Sequence, residues 1–232
     1  RCTSSTTPSS RSAVRPVREY LVIFGVAIAG TYLLASIARQ SAQQLGAVAK
    51  VRDRDVHAIP TPYFGGPAIL GGLLVAYVVA TSLPFLSGSE NSVFSDVRAV
   101  LVGGSVICLV GVIDDLFELD ALSKFAGQVL AGVITVAMGL HFVYLPLPNT
   151  YLGLDQAQAM ILTVFLIVAT ANAMNFVDGL DGLAAGMAAI GSFAFFVYAF
   201  VLAVENGETR AVAAALLMIS LAGACVGILP HN

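Results

Sequence analysis

Tryptophan is absent, cysteine occurs three times, and charged side chains make up only 11% of the 232 residues. Soluble globular domains carry roughly 25% charge, so this shortage excludes an ordinary water-facing surface. Cys2 lies in a polar tail, while Cys108 and Cys225 sit inside apolar runs, which excludes a disulfide framework. The formal net charge is −3. With no basic surplus to neutralise phosphates, no nucleic-acid partner is expected. Repeats and low-complexity linkers are also missing. What remains is 58% hydrophobic, with 22 glycines and a mean hydropathy of +0.88. That profile belongs to a helical membrane protein, in which small residues let helices approach closely.

A helix needs about 20 mainly apolar residues to cross the hydrocarbon core. Seven segments qualify, at 20–38, 66–86, 99–113, 125–141, 157–175, 183–204 and 211–229. The expected fold is all-α, a polytopic bundle of about seven transmembrane helices, with the third and fourth short and Arg98 snorkelling from an end. A polar N-terminal tail, 1–18, precedes a membrane domain spanning 19–232. The tail resembles a signal n-region, but the following apolar run exceeds the 7–15 residues usual for a signal core, which favours a retained helix. The chain starts with Arg1 and stops at Asn232 directly after an apolar run, so it is expected to be part of a longer protein.

Seven crossings put the odd-numbered connections on one membrane face. That face gathers K-V-R-D-R-D-V-H-A-I-P-T-P-Y-F-G-G from Lys50, D-D-L-F-E-L-D from Asp114, N-A-M-N-F-V-D-G-L-D-G from Asn172, and the terminal L-P-H-N. The other face offers Glu90, Asp96, Arg98, Asp155, Glu205, Glu208 and Arg210, and His141 there is given no role. Positive charge does not orient the chain: Arg11, Arg15 and Arg18 before the first span balance Arg39, Lys50, Arg52 and Arg54 after it.

Adjacent carboxylates at Asp114 and Asp115 repel unless a cation or proton separates them. They suit Mg²⁺ binding or a division of acid and base roles. The plainer alternative is a solvated helix end, followed by a helix capped at Ser123. Asn172, Asn175, Asp178 and Asp181 recur every three residues and line one face while the backbone stays helical. Their oxygens suit a hard cation that shares phosphate oxygens. The alternative there is an Asx-rich turn with Gly182 and Gly186 as a packing pair. The loop from Lys50 to Gly66 combines arginines that grip phosphate with stiffening prolines, yet it equally fits lipid-headgroup contact, and His57 alone is structural.

Together, V-H-A-I-P-T-P-Y-F-G-G, G-V-I-D-D-L-F-E-L-D-A-L-S-K-F, N-A-M-N-F-V-D-G-L-D-G-L-A-A-G and G-I-L-P-H-N resemble the polyprenyl-phosphate N-acetylhexosamine-1-phosphate transferases of glycosyltransferase family 4. The resemblance is greatest to the branch that uses UDP-N-acetylglucosamine. It implies Mg²⁺-dependent transfer, with Mn²⁺ as a substitute, of N-acetylglucosamine 1-phosphate from the UDP-sugar to a polyprenyl phosphate, releasing UMP. By the same resemblance Asp114, Asp115 and Asp178 are catalytic and Asn175 is a metal ligand. His57, Lys124, Asn172 and Asp181 fall on the substrate side.

The resemblance further implies a multi-pass protein of the plasma membrane with cytoplasmic reactive loops, its partners being UDP-sugar, polyprenyl phosphate and bilayer. A homodimer is left open. Family members continue past the L-P-H-N motif to a metal-binding G-D and a His-rich loop, so residues 1–232 alone are expected to be inactive. The alternatives are a phospho-MurNAc-pentapeptide transferase of the same family, an ion-coupled transporter, and a purely structural bundle.

Overall fold

The computed structural model describes residues 10–45, 65–88, 91–148, 150–177 and 182–231. They form α1 (Ser10–Leu45), α2 (Gly65–Ala80), α3 (Pro84–Ser87), α4 (Asn91–Phe117), α5 (Ala121–Ala137), a hairpin of β1 (Tyr144–Leu147) and β2 (Thr150–Gly153), α6 (Gln156–Val177), α7 (Leu183–Glu205) and α8 (Thr209–Ile228). A 3₁₀ turn, Leu229–His231, follows. Each of the seven apolar segments carries a helix, and the protein is an all-α, multi-pass membrane protein. Five helices are long and apolar enough to cross a bilayer, whereas α2 and α5 are apolar but shorter.

Three boundaries depart most from expectation. The third span is not short: α4 has 27 residues, because Asp96 and Arg98 ride on its first turns instead of ending it. Arg98 donates from Nε to the Phe94 carbonyl, 3.2 Å away. The second span stops early, at Ala80. Pro84 lacks an N–H and disfavours helical backbone in the residue before it, so the chain breaks and restarts as the single turn of α3. Helix α1 already begins at Ser10, within the polar tail.

The buried carboxylate of Glu19 satisfies the orphan donors of α3, accepting from Phe85 N at 2.7 Å and Leu86 N at 3.0 Å. That contact fixes the N-terminal end of α1 beside the α2–α4 connection. At the other end Ala35 of α1 packs with Ala68 of α2 and Ile228 of α8. The helices therefore alternate in direction, and the ends of α4, α6 and α8 share a face with the starts of α2, α5 and α7.

Helix α8 is the hub, with its buried face built largely of Ala and Gly. Leu216 and Ile219 join Tyr20, Ile23, Val93 and Val97 in the main core. Gly223 and Gly227 let α1 approach closely: a Cβ at Gly227 would lie 2.5 Å from the Ile28 carbonyl oxygen. Among the described residues, a Cβ at Gly186 would meet nothing within 4 Å.

Candidate active site at the ends of α4, α5 and α6

Helix α4 ends with Asp114 and Asp115 in its last turn. The next residue after the helix, Glu118, has φ +47°, the only positive φ of a non-glycine among the described residues. This left-handed residue reverses the chain, and Asp114 supports the reversal through its Oδ1, which accepts from Leu119 N at 3.0 Å. Asp120 then caps α5, so the cap is Asp120, and Ser123 is the third helical residue. No cap hydrogen bond closes fully, but the Ser123 hydroxyl and nearby N–H groups hold the Asp120 carboxyl below the usual carboxylate range.

The reversal brings Lys124 back along α4, where its Nζ lies 2.8 Å from Asp114 Oδ2. Both oxygens of Asp114 are thus engaged, and Asp115 is the exposed member of the doublet. One turn beyond Lys124 on α5 is Gln128, 6% exposed, a polar side chain in an otherwise apolar stretch. Its Oε1 accepts from Asn172 Nδ2 of α6 at 2.6 Å. Asn172 Nδ2 also donates to the Val168 carbonyl at 2.8 Å. A run of polar groups therefore links the end of α4, through the first two turns of α5, to the last two turns of α6.

Helix α6 persists to Val177, so Asn172 and Asn175 do share the helical spacing expected of them, with Asn175 exposed one turn on. Asp178, Asp181 and His57 lie outside the described residues, as does most of the Lys50–Gly66 loop. Among the described residues no three His, Cys, Asp or Glu side chains cluster as a metal cage. The donor chemistry at this end nevertheless fits Mg²⁺, which takes one or two carboxylates and completes its shell with water and phosphate oxygens. Asp115 and Asn175 are exposed side chains of that kind at this end.

Two features escaped the sequence reading. Gln128 is one; its signal was its position four residues after Lys124 on an apolar helix. The other is His231 of the L-P-H-N motif, whose Nε2 lies 2.9 Å from Ser36 Oγ and whose ring meets Tyr32 edge-on at 4.6 Å. The Ser36 hydroxyl donates to the Tyr32 carbonyl, so His231 Nε2–H is the donor in that contact. The 3₁₀ turn after α8 is thereby clasped to α1.

Beside the polar run, α5 and α6 enclose an apolar groove of about 660 Å³ lined by residues including Phe125, Val129, Val133, Ile161, Phe165 and Val168. It begins one residue after Lys124 and follows α5 for about 17 Å at 1.5 Å per residue.

The model of the family described as glycosyl transferase family 4 matches residues 97–232. The chain is 44% identical over 229 residues to the decaprenyl-phosphate N-acetylglucosaminephosphotransferase of Mycobacterium tuberculosis, covering 97% of this chain and 56% of that protein. It is 31% identical over 215 residues to the probable undecaprenyl-phosphate N-acetylglucosaminyl 1-phosphate transferase of Bacillus subtilis, covering 91% and 55%. Identity is also 31% to the phospho-N-acetylmuramoyl-pentapeptide-transferase of Desulforudis audaxviator, covering 91% and 68%. The chain thus spans about half the length of the first two relatives. With 136 of its 232 residues inside the family match and the acidic doublet, the Lys124 turn and the Asn172 segment all within it, the chain belongs to glycosyl transferase family 4.

Proposed function

We propose that the whole protein transfers N-acetylglucosamine 1-phosphate from UDP-N-acetylglucosamine to a membrane polyprenyl phosphate, giving polyprenyl-diphosphate-N-acetylglucosamine and UMP. An oxygen of the lipid phosphate forms the new bond to the sugar-bearing phosphorus, and the bond from that phosphorus to the UMP oxygen breaks. The observation that carries this reading is the polar run from Asp114 through Lys124 and Gln128 to Asn172, placed at the mouth of an apolar groove. Such a site presents charged and polar groups to a diphosphate while an isoprenoid chain lies along α5 and α6. The relatives named for decaprenyl- and undecaprenyl-phosphate substrates support the same class.

The roles of Lys124, Asp115, Asn172 and Asn175 follow from their places at this end of the bundle, and those of His57, Asp178 and Asp181 from the family resemblance. Lys124, held by Asp114, places one positive charge where phosphate oxygens arrive, and positioning plus charge neutralisation is the main work of phosphoryl-transfer sites. Asp115, exposed beside that pair, is assigned to hold or deprotonate the lipid phosphate. Asn175 and Asp115 would bind Mg²⁺, with Asp178 and Asp181 following on the same segment; when bound, the ion neutralises developing charge on the diphosphate. Asn172, Asp181 and His57 are assigned to the nucleotide-sugar side. Supply of nucleotide sugar from inside the cell makes this face cytoplasmic and the membrane the plasma membrane.

The test is transfer of labelled sugar phosphate by the full-length protein in vesicles containing polyprenyl phosphate. Asp115→Asn and Asp178→Asn are each expected to lower turnover by at least about 100-fold, and unchanged turnover in both overturns the site. Preference for UDP-MurNAc-pentapeptide over UDP-N-acetylglucosamine would instead assign the protein to the other named activity of the family.

A further inference from the structure

We propose that buried Gln128 is a positioning residue that takes up the second amide proton of Asn172, so that Asn172 meets the nucleotide sugar as a hydrogen-bond acceptor only. This rests on the transferase reading for the identity of the ligand, but the orientation stands on geometry. The Val168 carbonyl oxygen has no proton to give, so the Asn172 atom 2.8 Å from it is the amide nitrogen. That same nitrogen lies 2.6 Å from Gln128, which must then present its own carbonyl oxygen. Both amide protons of Asn172 are used inside the protein. Its Oδ1 is left pointing away from both partners, on a side chain that is exposed.

An acceptor held this way selects an O–H or N–H donor of the ligand and repels a phosphate oxygen. It therefore separates two tasks along one short path. Lys124, one turn before Gln128 on α5, takes the anionic part of the substrate, and Asn172 takes a ribose, sugar or base donor. Were Gln128 replaced by a residue without an acceptor, the carboxamide would keep only the Val168 contact, and one amide proton would be released to donate toward the ligand.

The experiment compares Gln128→Met with Gln128→Glu in the full-length protein. Methionine keeps the length and removes the acceptor; glutamate keeps an acceptor oxygen whether or not it is protonated. Gln128→Met is expected to raise KM for UDP-N-acetylglucosamine about tenfold, the scale of one lost hydrogen bond, while KM for polyprenyl phosphate is unchanged. Gln128→Glu is expected to restore KM to within about threefold. A second readout is the ¹⁵N side-chain amide signal of Asn172, expected to be shifted and protected from exchange in the wild type and in Gln128→Glu, and collapsed toward the free-amide position in Gln128→Met. Equal KM values in both variants, with an unchanged Asn172 signal, overturn the inference. A wild-type protein inert toward UDP-N-acetylglucosamine that still shows the amide difference would refute the substrate and leave the positioning intact.

Discussion

Replacing Gly227 by alanine tests how tightly α8 is pressed against α1. The added Cβ would lie 2.5 Å from the Ile28 carbonyl oxygen and 3.1 Å from both Ile28 Cα and Thr31 Cβ. The first distance is half an ångström inside the 3.0 Å that Cβ atoms essentially never breach, and two of the three atoms are backbone. No rotamer change relieves the clash, so the helices must part. Overpacking of this kind costs about 1–3 kcal/mol, and a value near 2 kcal/mol lowers the melting temperature of a chain this size by about 4–8 °C. Gly223→Ala meets the same helix, 2.7 Å from the Phe24 carbonyl oxygen. One separation relieves both clashes, so the double variant is expected to lose less than the sum of the singles. Gly25→Ala, whose Cβ would meet nothing within 4 Å, is the control and is expected to be neutral or slightly stabilising. Thermal unfolding in detergent micelles reads all four. A Gly227→Ala protein that melts with the wild type, or strict additivity of the pair, refutes the close crossing.

Lys124→Met is expected to leave stability within about 1 kcal/mol, because the partly exposed ion pair with Asp114 is screened by water, yet to lower sugar-phosphate transfer at least about tenfold. Glu19→Ala removes the acceptor of two backbone donors and is expected to destabilise by about 2–4 kcal/mol in chemical unfolding. Glu19→Gln, which retains one acceptor oxygen, is expected to recover part of this loss. The lowered carboxyl of Asp120 contributes stability above its unfolded pKa of about 3.9, and that stability is lost as pH falls through the lower folded value. Melting curves between about pH 6 and pH 3 should therefore fall less steeply for Asp120→Asn than for the wild type.

Apolar runs alone located every long helix, because a bilayer demands continuous hydrophobic length. They misjudged ends where a polar side chain could be carried on a helix, as at Asp96 and Arg98, or where proline broke one, as at Pro84. That the ends of α4 and α6 share a face with the start of α5 was legible from span parity, since helices that alternate in direction leave no other choice. Pairwise contacts were not legible. That Asp114 is occupied by Lys124 depends on the left-handed backbone at Glu118, a conformation no local pattern announces in a non-glycine residue. Gln128 was overlooked because a single carboxamide in an apolar helix has no motif; its meaning comes from Asn172, 44 residues away. Which glycines carry close packing was not legible either: only helix contacts reveal that Gly223 and Gly227 carry the crossing of α8 with α1.

The most direct measurement is cysteine accessibility in sealed, oriented vesicles of the full-length protein, with the native cysteines replaced and single cysteines introduced as Asp115→Cys and Asn175→Cys. A membrane-impermeant maleimide added to one side is expected to label both positions from that same side and neither from the other. Labelling of the two positions from opposite sides would contradict a single active face.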